Sequence, residues 1–328
     1  MPTPTADELL QLGRSFTESR ILLTAAELDL FTLLSGRPLP AEEIAAQLDG
    51  DRRGVTILLD ALAGMGLLSK RDGAYLCEPD LARHLSAHGP ESVLPMLCHN
   101  AGMWRRWTQL TEIVRGTTPA ESATRSPEDL RAFIEAMDVV SRPLAPAIVA
   151  ATQPGSARRL IDVGGGPATY TMAFLRAVPG LEATLFDQPE VIEIARERLA
   201  RAGLLERVTL AAGDFYRDNL PAGHDLALVS AIIHQNSPAQ NVDLYRKVWR
   251  ALNRGGRIIV RDHILKPDRS RPRAGAVFAI NMLVATEGGN CYTFEEIRAD
   301  LTTAGFERVR VIQESEQMAG LVEAFRPA

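Results

Sequence analysis

The run Arg159-Leu160-Ile161-Asp162-Val163-Gly164-Gly165-Gly166 constrains this chain more than any other stretch. An apolar segment with a single acid meets three glycines, and Thr169 to Ala177 follows with apolar residues at turn spacing. That order predicts a buried strand, a tight turn and a helix. Gly164 and Gly166 permit the sharp bend and a close approach of backbone to ligand that a Cβ would block. Such turns serve NAD, FAD and S-adenosylmethionine (SAM) proteins alike.

Further positions narrow the choice. A dinucleotide fingerprint has a third glycine three residues after the second, where this chain has Thr169, which argues against NAD. Asp187 closes a second predicted strand, Ala183 to Phe186, where a carboxylate can accept from both ribose hydroxyls. Gly213-Asp214-Phe215 follows a third strand, Val208 to Ala211, so Asp214 can accept from an adenine amino group while Phe215 packs on the ring face.

These runs, with Phe186-Asp187-Gln188-Pro189-Glu190-Val191, Ile233-His234 and Arg254-Gly255-Gly256-Arg257, make the chain resemble the SAM-dependent small-molecule O-methyltransferases. That family includes caffeic acid and acetylserotonin O-methyltransferases and bacterial polyketide and antibiotic O-methyltransferases. The resemblance spans nearly the whole chain. It implies SAM as cofactor, S-adenosylhomocysteine as product, and an α/β fold: a Rossmann-like class I methyltransferase domain behind a mostly helical winged-helix dimerisation domain. The implied segments are 1–95 for dimerisation, 96–152 for a helical linker roofing the acceptor pocket, and 153–328 for the cofactor.

The residues bear on the N-terminal segment independently. Leu39 to Ala45 and Val55 to Leu62 read as helices, and Leu67 to Leu76 as two strands about an Asp72-Gly73 turn, a winged-helix pattern. Arg52, Arg53, Lys70 and Arg71 would be its phosphate contacts on DNA. From Met1 to Asn100, however, acids exceed bases by about six, the wrong sign for a nucleic-acid footprint. The resemblance implies a homodimer instead, with Leu22, Leu23, Leu28, Leu30, Phe31 and Leu33 supplying part of the dimer face. No apolar run approaches a membrane span and the first residues lack signal-peptide features, so a cytoplasmic protein is expected. Cys77, Cys98 and Cys291 form no CxxC pair, and no metal is expected.

Beyond Gln153, strands alternate with helices, which predicts a parallel sheet covered on both faces with its ligand at the carboxyl ends of the strands. The helix Asn241 to Leu252 is expected to end in Asn253-Arg254-Gly255-Gly256, with a strand from Arg257 to Val260 and a capping box at Thr293 and Glu296. The resemblance places the last strand, Gly320 to Phe325, antiparallel between its two predecessors.

His234 follows the strand Leu226 to Val229 at the cofactor cleft, where an imidazole can take a phenolic proton. It matches the family's catalytic histidine, and Asp262 matches an acidic support that would hold its other nitrogen. The same correspondence places Ser141 and Ser230 near the cofactor. It places Phe133, Met137, Phe278, Asn281, Met282 and Thr286 at the acceptor, with Asn281 or Thr286 able to bind a hydroxyl or carbonyl. The chain departs from the plant pattern at His234-Gln235-Asn236, at Cys291 in place of a second acidic support, and at Ser230 in place of a frequent lysine. Arg269, Arg271 and Arg273 read as a solvated loop. The expected function is O-methylation of a small aromatic or polyketide-like molecule. C- or N-methylation, or a SAM-sensing winged-helix regulator, are the alternatives.

Overall fold

Strand and helix alternate through the second part of the chain, and the computed structural model, which describes residues 3–120 and 127–328, gathers the long strands into one seven-stranded sheet. The chain divides into two compact units, Met1–Arg105 and Arg106–Ala328.

In the first unit, β1 (Leu39–Pro40), β2 (Ser69–Arg71) and β3 (Ala74–Leu76) pair antiparallel in the order β1-β3-β2. Asp72 and Gly73 both take positive φ, the twist a two-residue hairpin turn requires. The helix Arg52–Gly64 starts where Asp51 accepts from the Gly54 amide. Leu59, Leu62, Ile44 and Tyr75 close the core together with Leu30 and Phe31. This corrects the expected dimer face: Leu30 and Phe31 are fully buried in their own unit and Leu23 is buried, because the short helix Leu30–Leu33 turns inward. Of the expected face Leu28 is exposed, and the other exposed apolar side chains of this unit are Leu9, Leu10 and Leu12 on the helix Ala6–Arg14, Phe16 after it, and Ile57. Three of the four expected phosphate contacts are paired with acids: Lys70 with Asp60, Arg71 with Glu78 and Arg52 with Glu42.

The second unit contains β4 (Arg159–Val163), β5 (Glu182–Asp187), β6 (Val208–Ala212), β7 (His224–Ser230), β8 (Leu252–Asp262), the short β9 (Ile264–Leu265) and β10 (Tyr292–Thr293), β11 (Glu307–Gln313) and β12 (Gly320–Phe325). The sheet order is β11-β12-β8-β7-β4-β5-β6, parallel from β8 to β6. β12 runs antiparallel between β8 and β11, as the resemblance implied. Strand order reverses at β4: the chain moves outward to β5 and β6, then returns to β7 on the other side. Crevices at the carboxyl ends of such a reversal receive ligands.

Two boundaries differ from expectation. The helix starts at Pro238, because Ser237 and Gln240 form a capping box and proline suits the first turn. It ends at Ala251, and Leu252 already begins β8, since the Gly255 amide bonds to the carbonyl of Arg326 and holds the glycine pair in the sheet. Both sheet faces are covered, one by a core of Ile161, Val229, Tyr245 and Ile258, the other by Leu160, Leu228, Phe174 and Leu321. No helix among the described residues is long and apolar enough to cross a membrane.

Candidate active site

The glycine turn leaves β4 at the strand reversal. Gly164 and Gly166 take φ of 69° and 52°, a region that favours glycine. A Cβ on Gly164 would stand 2.6 Å from the Ile232 side chain, and one on Gly165 2.7 Å from Leu185. Gly166 meets nothing within 4 Å, so it presents bare backbone to open space. Packing thus leaves no room for a Cβ at the first two glycines, and the third has open space beside it.

Asp187, at the end of β5, accepts from the Gly166 and Gln188 amides at 2.8 Å each. One bond falls on each carboxylate oxygen, which leaves a lone pair on both for a ribose diol. Burial pushes its pKa up, and the two amides oppose that shift. Asp162 is buried beneath the turn and accepts from the Thr171 hydroxyl at 2.6 Å. Burial raises its carboxyl to about 6. Asp214 follows β6 but turns one oxygen to the Tyr216 amide, at 2.9 Å. Phe215 packs beside Gly164 and Ile232 and tilts against Tyr216. Its carbonyl and that of Tyr216 accept from the buried Lys247 ammonium. Ser141 ends the helix Pro127–Ser141 beside the Tyr170 hydroxyl. Ser230 ends β7, level with Gly164 because Val163 and Val229 are in register.

On the far side of β7, His234 sits in a 3-10 turn with its Nδ1 2.9 and 3.0 Å from the two Asp262 oxygens. The nitrogen that faces the carboxylate is Nδ1, the position from which a ring N–H can donate to it. Asp262 is itself held by the His263 amide at 2.8 Å. The Phe278 ring meets the imidazole edge-on, centroids 4.9 Å apart. Cys291 is buried near Asp262, and burial pushes its thiol up to about 12, so it stays neutral. Asn236 is a structural clasp: its side chain bonds Asn241 and Tyr216, and its carbonyl accepts from Tyr292.

Comparison with known proteins places the chain in a family. Residues 102–307 fit the family model of the O-methyltransferase domain, and residues 10–83 that of the O-methyltransferase dimerisation domain. The chain belongs to the SAM-dependent O-methyltransferase family. It is 32% identical over 312 residues to the tetracenomycin polyketide synthesis 8-O-methyl transferase TcmO of Streptomyces glaucescens, covering 92% of each protein. It is 32% identical over 316 residues to the 3-hydroxy-5-methyl-1-naphthoate 3-O-methyltransferase of Streptomyces sahachiroi, covering 93% of this chain and 90% of that one. The crystal structure of human N-acetylserotonin methyltransferase in complex with SAM superposes with a TM-score of 0.84 at 25% identity over 99% of both chains.

In this O-methyltransferase the residues expected at the acceptor are not all brought together. Phe278, on the helix Arg273–Ala285, faces His234. Asn281, one turn on, accepts from the Trp107 indole at 3.1 Å, and Met282 is buried. The Thr286 hydroxyl donates to the Met282 carbonyl and accepts from the Gly289 amide, so it caps its helix. Phe133 packs with Ile134, Val191 and Ile194 against the neighbouring helix, and Met137 is half-buried. Arg269, Arg271 and Arg273 are all exposed, as a solvated loop requires, and Arg269 in addition bonds the Cys291 carbonyl and pairs with Glu296. Sequence reasoning passed over Arg261, which is 3% exposed, and His263, buried against Phe278 with its ring centroid 5.3 Å away. Their only signal was a charge or an imidazole at the end of an apolar strand.

Proposed function

We propose that this enzyme methylates a hydroxyl of a small aromatic or polyketide-type acceptor, with His234 as general base and Asp262 as its orienting partner. The observation that carries this reading is the Asp262 carboxylate on Nδ1 at 2.9 Å. When bound, SAM supplies a methyl group on a positively charged sulfur, so the acceptor needs only alignment and the loss of its proton. Asp187 would hold the ribose, Gly164 and Gly166 would admit the cofactor backbone, and Asp214 with Phe215 would border the adenine. Ser141 and Ser230 would line the remainder. His234 would take the acceptor's hydroxyl proton on Nε2 while the methyl group passes from sulfur to oxygen and S-adenosylhomocysteine is left, and Asp262 would steady the imidazolium. Phe278 would present an apolar face to a flat acceptor, and Asn281, Met282, Phe133 and Met137 would shape its surroundings. The polyketide and naphthoate activities of the two Streptomyces relatives support that acceptor class.

We also propose a homodimer built by residues 1–95, a roof of residues 96–152 and a cofactor domain of residues 153–328. The exposed face of Leu9, Leu12 and Phe16 supports self-association. The pairing of Arg52, Lys70 and Arg71 with acids speaks against DNA as the partner.

Methyl transfer to naphthol or polyketide phenols by the wild type and by His234→Ala tests the reading. A loss of about 10²- to 10⁴-fold in kcat is expected, with S-adenosylhomocysteine affinity unchanged by calorimetry. A loss of only a few-fold would remove His234 from the base role and favour C- or N-methylation.

A further inference from the structure

Several buried or half-buried charged side chains of the second unit are paired among the described residues. Arg257 and Arg310 clamp the buried Glu323, Arg198 pairs with Asp138, and Arg207 spends its guanidinium on the carbonyls of Leu175, Val178 and Leu181. Arg261 is 3% exposed, yet among the described residues its side-chain contacts include no carboxylate within ion-pair distance. Its Nη1 reaches the Ser230 hydroxyl at 3.1 Å, its Cζ lies 5.0 Å from the centre of the Tyr170 ring, and its Nε is buried with no partner. A serine oxygen and a ring face do not replace the hydration a guanidinium gives up, and the neighbouring Tyr170 and Asp262 offset only part of the desolvation. Burial accordingly pulls its pKa below the usual arginine value.

The place of this cation in the sheet identifies what it awaits. Arg261 pairs in register with Ser230, and Val229 with Val163, so the Arg261–Ser230 pair flanks the glycine turn. Asp187 flanks the same turn from β5, on the opposite side. Tyr170, beneath the guanidinium, belongs to the first turn of the helix that leaves the glycines. A nucleoside anchored at Asp187 must extend its thioether arm across Gly164 toward β7, because His234 follows β7. The arm ends in an amino acid, whose carboxylate is the one anion the cofactor carries.

We propose that Arg261 receives the α-carboxylate of the cofactor's amino-acid arm, with Ser230 as the second donor. The inference rests on the proposed placement of the nucleoside at Asp187. Arg261 bonds the carboxylate through Nε and its free Nη, and Ser230, already accepting from Nη1, turns its own proton to the same group. The buried charge gains its counter-ion only when the cofactor enters.

Calorimetric titration of the full chain with S-adenosylhomocysteine and with its decarboxylated analogue, S-adenosyl-3-thiopropylamine, tests this directly. The wild type is expected to bind the analogue about 10- to 100-fold more weakly. Arg261→Met should bind both within about threefold of each other, and Arg261→Lys should recover part of the preference. Preserved discrimination in Arg261→Met overturns the proposal. Asp187→Ala should weaken both ligands alike; if it weakens neither, the nucleoside placement fails, and the Arg261 cycle still reads the carboxylate contact. Ser230→Asp guards against a variant that does not fold. A carboxylate beside Arg261 should raise the melting temperature of the unliganded chain and weaken S-adenosylhomocysteine at least about tenfold. A lower melting temperature with intact binding would also overturn the proposal.

Discussion

The two sides of the crevice are built from different materials. On the β5 side, backbone makes the site: positive-φ glycines, and an aspartate fixed by two amides. On the β8 side, side chains make it: an imidazole on a carboxylate, a phenyl ring, and an asparagine tied to an indole. The backbone side follows from strand order and turn geometry and can serve any acceptor. The side-chain side depends on contacts between distant residues, and under the proposed function it is where acceptors would be told apart.

That contrast can be broken by substitution. Asp262→Asn should give the largest effect, a fall in kcat of about 10²- to 10⁴-fold measured by methyl transfer, because an amide can favour the wrong tautomer of His234. Cofactor affinity should stay put, and a matching loss of S-adenosylhomocysteine binding would show that the two sides are one network. Gly164→Ala should do the reverse. With φ at 69° and Ile232 2.6 Å from the new Cβ, denaturant unfolding should show a loss of about 2–4 kcal/mol together with weakened cofactor binding.

Much of the backbone side was readable in the sequence. Asp162, the glycines and Asp187 fall at strand ends, and the helix Thr169–Ala177 has the bounds its apolar spacing predicts. Local pattern carries such features. The rest depended on partners far along the chain. Trp107 and Asn281 are 174 residues apart, and nothing in either neighbourhood announces their bond. Leu30 and Phe31 look alike in sequence whether they meet their own core or another subunit. The bond from Arg269 to the Cys291 carbonyl joins residues 22 apart and leaves no mark on either neighbourhood. The early start of the helix Pro238–Ala251 was in the sequence, in Ser237-Pro238-Ala239-Gln240, and needed only the capping rule.

Smaller effects sharpen the same division. Asp162 has a carboxyl raised from 3.8 to about 6 by burial, so the folded chain holds that proton more tightly than the unfolded one. Its contribution to stability therefore falls as pH rises from about 4 to 6, and Asp162→Asn should be the more stable protein at pH 7 by about 1–3 kcal/mol. Thermal unfolding of the unliganded protein at pH 4 and pH 7 checks this: the advantage should vanish at the lower pH. Thr286→Val should cost least, about 1 kcal/mol by denaturant unfolding, with acceptor KM little changed, because the hydroxyl caps a helix. A large rise in KM would return Thr286 to the acceptor.

The position of β12 has a consequence for biosynthesis. β8 and β11 are both made before the strand that joins them, so while a ribosome adds residues 263 to 319 the outer edge of β8 carries unpaired amides and carbonyls. Arg257 and Arg310 wait over the same interval for Glu323. An open edge on an apolar strand invites pairing with another nascent chain. Synonymous codons that slow translation across this interval should therefore lower the soluble yield of the enzyme, although they alter no residue of the finished protein.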